Sequence, residues 1–252
     1  MKSNDPAGER LIFALDVGDG LDSALEWVSL LKDHVGLFKV GMEAFTRFGP
    51  VIVEEITSRG GKVFLDLKFH DIPNTTARAV EAAMKMPLAM INIHALGGSD
   101  MMRQTVDAAQ KLSRNEGIPL PLILAVTILT SLNDADVETL GFASGTDSLV
   151  KRLALMARDC GVPGVVASAR DVTSLRRLCG DDFIIVTPGI RMAGDVPGDD
   201  QKRTLTPMEA ITAGADYIVV GRPIRTSRDP VEAAASIVEE ISKGLAKKPG
   251  HT

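Results

Sequence analysis

An eightfold alternation constrains this chain more than any other feature. Apolar, β-branched runs recur at Leu11 to Val17, Leu37 to Val40, Lys62 to Phe69, Ala89 to Leu96, Leu120 to Leu129, Gly164 to Ser168, Phe183 to Pro188 and Tyr217 to Gly221. Segments of helical periodicity follow them, near Asp22 to Lys32, Glu43 to Arg59, Asn74 to Met86, Ser99 to Ser113, Thr146 to Asp159, Val172 to Leu178, Pro207 to Ala213 and Pro230 to Leu245. Strands that alternate with helices pair in parallel through right-handed crossovers. Eight such units in 252 residues predict a closed α/β fold, the (β/α)8 TIM barrel, as a single domain over residues 1–252. Helix punctuation agrees, since Gly60-Gly61 closes one helix and Ser99 or Asp229-Pro230 opens another. An open doubly wound sheet is the alternative, and no Gly-x-Gly-x-x-Gly turn follows the first run to favour it.

Composition removes several function classes. Acidic and basic residues are interleaved and the net charge is -5, which argues against a nucleic-acid partner held by counterion release. The two cysteines, Cys160 and Cys179, are too few for a disulfide framework and wrongly spaced for zinc, as expected of a reducing cytoplasm. No stretch approaches the roughly 18 apolar residues of a membrane span. Met1 to Arg10 has no apolar core of a leader peptide, so a soluble, unprocessed cytoplasmic protein with no membrane contact is expected.

A barrel of this kind carries its chemistry on the loops after the strand C-termini. There the third run alternates, with Asp66 and Lys68 on one face and Leu65, Leu67 and Phe69 on the other. The apolar set must face the helices, so the two charges point into the barrel mouth, where charge is costly unless partnered. Asp16 falls on the inward side with Ile12 and Ala14, and Lys39 lies inward on the second strand. One such residue alone reads as a solvated strand edge or an ion pair. Four charges of alternating sign at corresponding strand ends, with Asp71 just beyond, read as a catalytic array.

The run Asp66-Leu67-Lys68-Phe69-His70-Asp71-Ile72-Pro73-Asn74-Thr75 resembles the signature of the orotidine 5'-phosphate decarboxylases, bacterial type, in which Asp-x-Lys-x-x-Asp carries the chemistry. Ala14-Leu15-Asp16, Phe38-Lys39-Val40-Gly41, Val126-Thr127-Ile128-Leu129-Thr130, Thr187-Pro188-Gly189-Ile190-Arg191 and Val219-Val220-Gly221-Arg222 match in the same order. The resemblance implies conversion of orotidine 5'-monophosphate to uridine 5'-monophosphate and carbon dioxide, the last step of de novo UMP synthesis, with no cofactor and no metal. Loss of carbon dioxide leaves negative charge on C6 of the pyrimidine, which a fixed cation must meet. Lys68, held protonated by Asp66 and Asp71, would stabilise that charge and then protonate C6. Asp66 would lie near the substrate carboxylate, acting by repulsion or by positioning Lys68. Lys39 would bridge Asp66 and a ribose hydroxyl, and Asp16 would accept from the ribose. Asp71 and Thr75 would enter from the neighbouring subunit of a homodimer, with Ile72 also at the substrate.

Phosphate is expected after strands seven and eight, at Gly189, Arg191, Gly221 and Arg222, where backbone N–H groups and Arg forks suit a dianion. Residues 191–203, polar and glycine-rich, read as a lid over that site, with Gln201 bridging phosphate and base. Thr130 would contact the pyrimidine or its carboxylate, with Ser131 in its place if the register slips by one. Histidine is assigned no role: His34 and His251 read as exposed, His94 as lining the barrel and His70 as ordering the loop after Lys68. Met84, Met86, Met90 and Met101 read as core filler. Two rivals stand. One is a related barrel acting on a sugar phosphate through a magnesium-bound enediolate, which tends to carry Glu where Lys39 stands. The other is a non-catalytic phosphate-ligand sensor.

Overall fold

The computed structural model describes residues 5–17, 20–191 and 205–247. Strands β1 (Leu11–Ala14), β2 (Leu37–Gly41), β3 (Val63–Phe69), β4 (Leu88–His94), β5 (Leu122–Val126), β6 (Gly164–Val166), β7 (Ile184–Pro188) and β8 (Tyr217–Val220) pair in parallel with their sequence neighbours, and β8 closes on β1. The expected (β/α)8 barrel is therefore the architecture. Helices α1 (Leu21–Leu31), α2 (Met42–Phe48), α3 (Val51–Ser58), α4 (Pro73–Ala83), α5 (Gly98–Glu116), α6 (Asp134–Thr139), α7 (Thr146–Asp159), α8 (Val172–Cys179), α9 (Pro207–Ala213), α10 (Arg222–Arg225) and α11 (Pro230–Ala246) surround it.

Strand alternation divides the apolar residues into two cores. Leu11, Phe13, Leu15, Phe38, Val40, Leu65, Ile91 and Ile93 face outward into the layer between sheet and helices. There the Phe13 ring stacks on Trp27 of α1 at 5.6 Å and meets Phe38 edge-on at 6.3 Å, which seats α1 against β1 and β2. Ile12, Ala14, Leu37, Phe64, Met90, Leu124, Val186 and Val219 fill the barrel itself. With these apolar residues filling the barrel, inward side chains that carry charge are left the strands' C-terminal ends, where water and a ligand can reach them.

Local rules explain where elements differ from expectation. The predicted helix over Glu43 to Arg59 is two helices, because Gly49 adopts φ 62° and Pro50 follows it. A left-handed residue ends the first helix, and proline can only open the second. Strand β5 stops at Val126 rather than Leu129: both the backbone N–H and the hydroxyl of Thr127 donate to Val166 O at 3.2 Å, after which the chain leaves the sheet. It then forms α6, opened by a capping box in which Asn133 accepts from Ala135 N and Asp136 N while Asp136 accepts from Asn133 N. Helices α9 and α11 start as their sequence predicts, with Thr206 and Glu209 in a capping box and Asp229 accepting from Glu232 N, each ahead of a proline at the first helical position. Among the described residues no helix is long and apolar enough to cross a membrane.

Candidate active site

A cleft of about 330 Å³ opens at the C-terminal ends of the strands. Charges alternate along one wall. Asp16, two residues past β1, takes Lys39 Nζ at 3.4 Å; Lys39 also lies 3.3 Å from Asp66 Oδ2; and Asp66 Oδ1 accepts from Lys68 Nζ at 2.7 Å. The Asp16 carboxylate is 52% exposed, so water competes with its pairing. Lys39 and Asp66 are 13% and 12% exposed, which makes each the other's required counter-charge. All four residues line the cleft. Gly41 backs the array, because a Cβ there would sit 3.2 Å from Lys39 Nζ and 3.3 Å from Asp16 Oδ1.

Simple alternation does not bring Lys68 to this wall. On β3, Leu65 pairs with Ile91 of β4 and Phe69 with Ile93, so four residues on one strand oppose two on the other. The extra length is taken up in a bulge where Lys68 has φ 53°, a left-handed conformation that L residues with a Cβ seldom adopt. Asn92 of β4 supports it: its Oδ1 accepts from Lys68 N at 2.7 Å and its Nδ2 donates to Asp66 Oδ1 at 2.6 Å. Asn92 is fully buried, and the sequence reading passed over it. Its signal was a lone amide at an inward position between Met90 and His94.

The opposite end of the cleft is cationic. Arg191 follows β7, and Arg222 and Arg225 belong to α10 after β8; all three line the cleft. Burial, then the positive fields of Arg191 and Arg225, lower the pKa of the Arg222 guanidinium. Such crowding of like charge is stable where an anion is to be received. Arg225, which sequence reasoning missed, also donates from Nη1 to the backbone oxygen of Asp16, tying the cationic end to the charged wall. Gly189, with φ 79°, turns the chain over the cleft, and a Cβ at Gly221 would lie 3.2 Å from that of Ala14. Thr130 lines the cleft although it stands four residues beyond the end of β5; Ser131 is not part of the lining. Among the described residues no group of three or more His, Cys, Asp or Glu is arranged to hold a metal ion.

Comparison with known proteins addresses what such a cleft serves. The model of the orotidine 5'-phosphate decarboxylase / HUMPS family matches residues 9–237. A protein of Syntrophus aciditrophicus (strain SB) named orotidine 5'-phosphate decarboxylase is 58% identical over 98% of both chains. The chain belongs to this family. A second protein of that name, from Syntrophotalea carbinolica, is 50% identical over 95% of this chain and 97% of its own. The crystal structure of orotidine 5'-phosphate decarboxylase from Lactobacillus acidophilus superposes with a TM-score of 0.79 at 37% identity, covering 92% of this chain and 98% of its own.

In this family member one chain assembles only part of the expected set. Asp16, Lys39, Asp66, Lys68, Thr130, Arg191, Gly221 and Arg222 converge on the cleft. Asp71, Ile72 and Thr75 do not. They sit at the start of α4, exposed, with Asp71 Oδ1 accepting from Ile72 N at 2.6 Å and Ile72 67% exposed. Gln201 and the expected lid beyond Arg191 lie outside the described residues. His94 lines the interior, as expected; burial above all, then His70 and Lys68, lower its pKa to about 4. Its Nδ1 accepts from Leu96 N at 3.3 Å, a role only the neutral ring can fill, and His70 stacks on it at 5.2 Å.

Proposed function

We propose that this chain decarboxylates orotidine 5'-monophosphate to uridine 5'-monophosphate and carbon dioxide. The observation that carries the reading is the unbroken Asp16–Lys39–Asp66–Lys68 array facing an arginine cluster across one cleft. A nucleotide monophosphate has the matching polarity: its dianionic phosphate suits Arg191, Arg222 and the backbone at Gly221, and its ribose hydroxyls suit Asp16 and Lys39. The pyrimidine then meets Thr130 on one side and Asp66 with Lys68 on the other.

In the reaction the bond between C6 and the carboxylate breaks, carbon dioxide departs, and the electron pair stays on C6. The Lys68 ammonium, fixed 2.7 Å from Asp66, meets that charge without reorganising and delivers a proton to C6. Solvent returns the proton to the amine. Asp66 and Lys39 keep the ammonium aimed. Asp71 and Thr75, with Ile72, complete the site of a second copy in a homodimer; the 67% exposure of Ile72 supports an apolar contact there. Gln201, outside the described residues, would span phosphate and base.

A related barrel acting on a sugar phosphate is the rival reading, so the test is a choice of substrate. Chelator-treated protein mixed with orotidine 5'-monophosphate should change the ultraviolet absorbance from orotidylate to uridylate. No change, with turnover appearing on a sugar phosphate plus magnesium, would transfer the chain to the enediolate branch.

A further inference from the structure

Asn92 occupies an inward position of β4 with no exposed surface and is not among the residues lining the cleft. A buried primary amide is costly unless both its ends are bonded. Here each end bonds a different member of the charged array. The carbonyl oxygen holds the backbone N–H of Lys68 at the one position where, among the described residues, a non-glycine residue has positive φ. The NH2 group holds Asp66 Oδ1, the same oxygen that receives Lys68 Nζ.

We infer that Asn92 is a positioning residue, an amide clamp that sets the backbone of Lys68 and the carboxylate of Asp66 at once and thereby aims the Lys68 ammonium. Without the clamp, β3 loses the side-chain acceptor that stands in for a ladder partner at its bulge, and Asp66 Oδ1 keeps only one of its two donors. The ammonium then samples orientations off the line to the reacting carbon, and a displacement near 1 Å is worth about 100-fold in rate. Because Asn92 does not reach the cleft, ground-state binding is left alone.

The turnover readout rests on the decarboxylase reading, so a second readout is independent of it. Asn92→Leu keeps the shape and removes both hydrogen bonds; Asn92→Asp keeps the acceptor for Lys68 N and removes the donor to Asp66. For Asn92→Leu we expect kcat on orotidine 5'-monophosphate to fall about 10- to 150-fold, the worth of a hydrogen bond to a charged group, with KM within about threefold. For Asn92→Asp, kcat should be low above neutrality and recover as pH falls, because the introduced carboxyl, once protonated, donates to Asp66 again. In substrate-free protein, the rate of acylation of Lys68 by an amine-directed reagent, followed by peptide mass spectrometry, should change by at least about threefold in Asn92→Leu, since both the mobility of the amine and its hold by Asp66 change. If wild type fails to turn over orotidylate, the function reading falls and the labelling rates still decide this one. Unchanged kcat and unchanged labelling in folded Asn92→Leu would overturn it; if that variant does not fold, a pH-independent kcat in Asn92→Asp does so.

Discussion

Gly41→Ala separates stability from geometry. At φ -86° and ψ 179° Gly41 has ordinary extended backbone, so alanine fits the main chain and narrows the unfolded ensemble, stabilising by about 0.4–1 kcal/mol. Against that, the new methyl lies 3.2 Å from Lys39 Nζ and 3.3 Å from Asp16 Oδ1. Both are the far ends of side chains and can give by a few tenths of an ångström at a cost of about the same size, leaving the melting temperature within about 2 °C of wild type. The catalytic wall cannot absorb the shift as easily, because Lys39 is the link between Asp16 at 3.4 Å and Asp66 at 3.3 Å. Turning Lys39 from either partner misplaces the carboxylate that holds Lys68 and, on the proposed function, the ribose hydroxyl. We expect kcat/KM for orotidylate to fall about 10- to 100-fold, measured by absorbance beside a calorimetric melt. Wild-type kcat/KM with a wild-type melt would refute the claim that the Lys39 geometry matters; a melt lowered by 10 °C would refute the packing argument.

Further outcomes follow from other positions. Gly36→Ala places a Cβ 2.2 Å from the backbone oxygen of Glu9, which cannot yield as a side-chain tip can, so a loss of about 3 kcal/mol or more and a melt lowered by about 6–12 °C are expected by calorimetry. Arg222→Ala should lower kcat/KM about 100-fold, and Arg222→Lys should restore only part of it, since a lone ammonium lacks the guanidinium fork; full recovery with lysine would count against bidentate phosphate binding. The folded-state pKa of His94 is lowered from 6.5 to about 4, so the unfolded chain takes up its proton first as pH falls. Its contribution is complete above pH 6.5, declines by on the order of 3 kcal/mol between there and pH 4, and is flat below; denaturant titrations of wild type and His94→Gln should diverge across that window.

The barrel was legible because each strand is a short apolar run and each is followed by helical periodicity. Asp66 and Lys39 were legible because polar residues interrupt those runs at inward positions. The conformation of Lys68 was not, since its bulge depends on Asn92, 24 residues away on the next strand. Alternation gave the right wall for Lys68 through a backbone that does not alternate. The break at Gly49-Pro50 was written in the chain, but apolar periodicity on both sides masked it; the capping box at Asn133 opens a helix of only six mostly polar residues, too short to show a periodic apolar face. Arg225 escaped notice because its place in the cleft follows from the one-turn helix α10, which strand-end reasoning does not extend to. Ile72 and Thr75 read as site residues only through resemblance, and Asp71 through its place just beyond the charged array as well; within one chain all three stand apart from the cleft.

The central claim is that Lys68, held by Asp66, supplies both the field and the proton for decarboxylation. Its most direct test is kcat of wild type and Lys68→Ala on orotidine 5'-monophosphate, with melting curves taken on the same preparations. The account predicts turnover by wild type and a loss of at least about 1000-fold in the variant at an unchanged melt, the combined scale of a proton donor and a preorganised charge. A folded Lys68→Ala protein that keeps turnover within tenfold of wild type would contradict it.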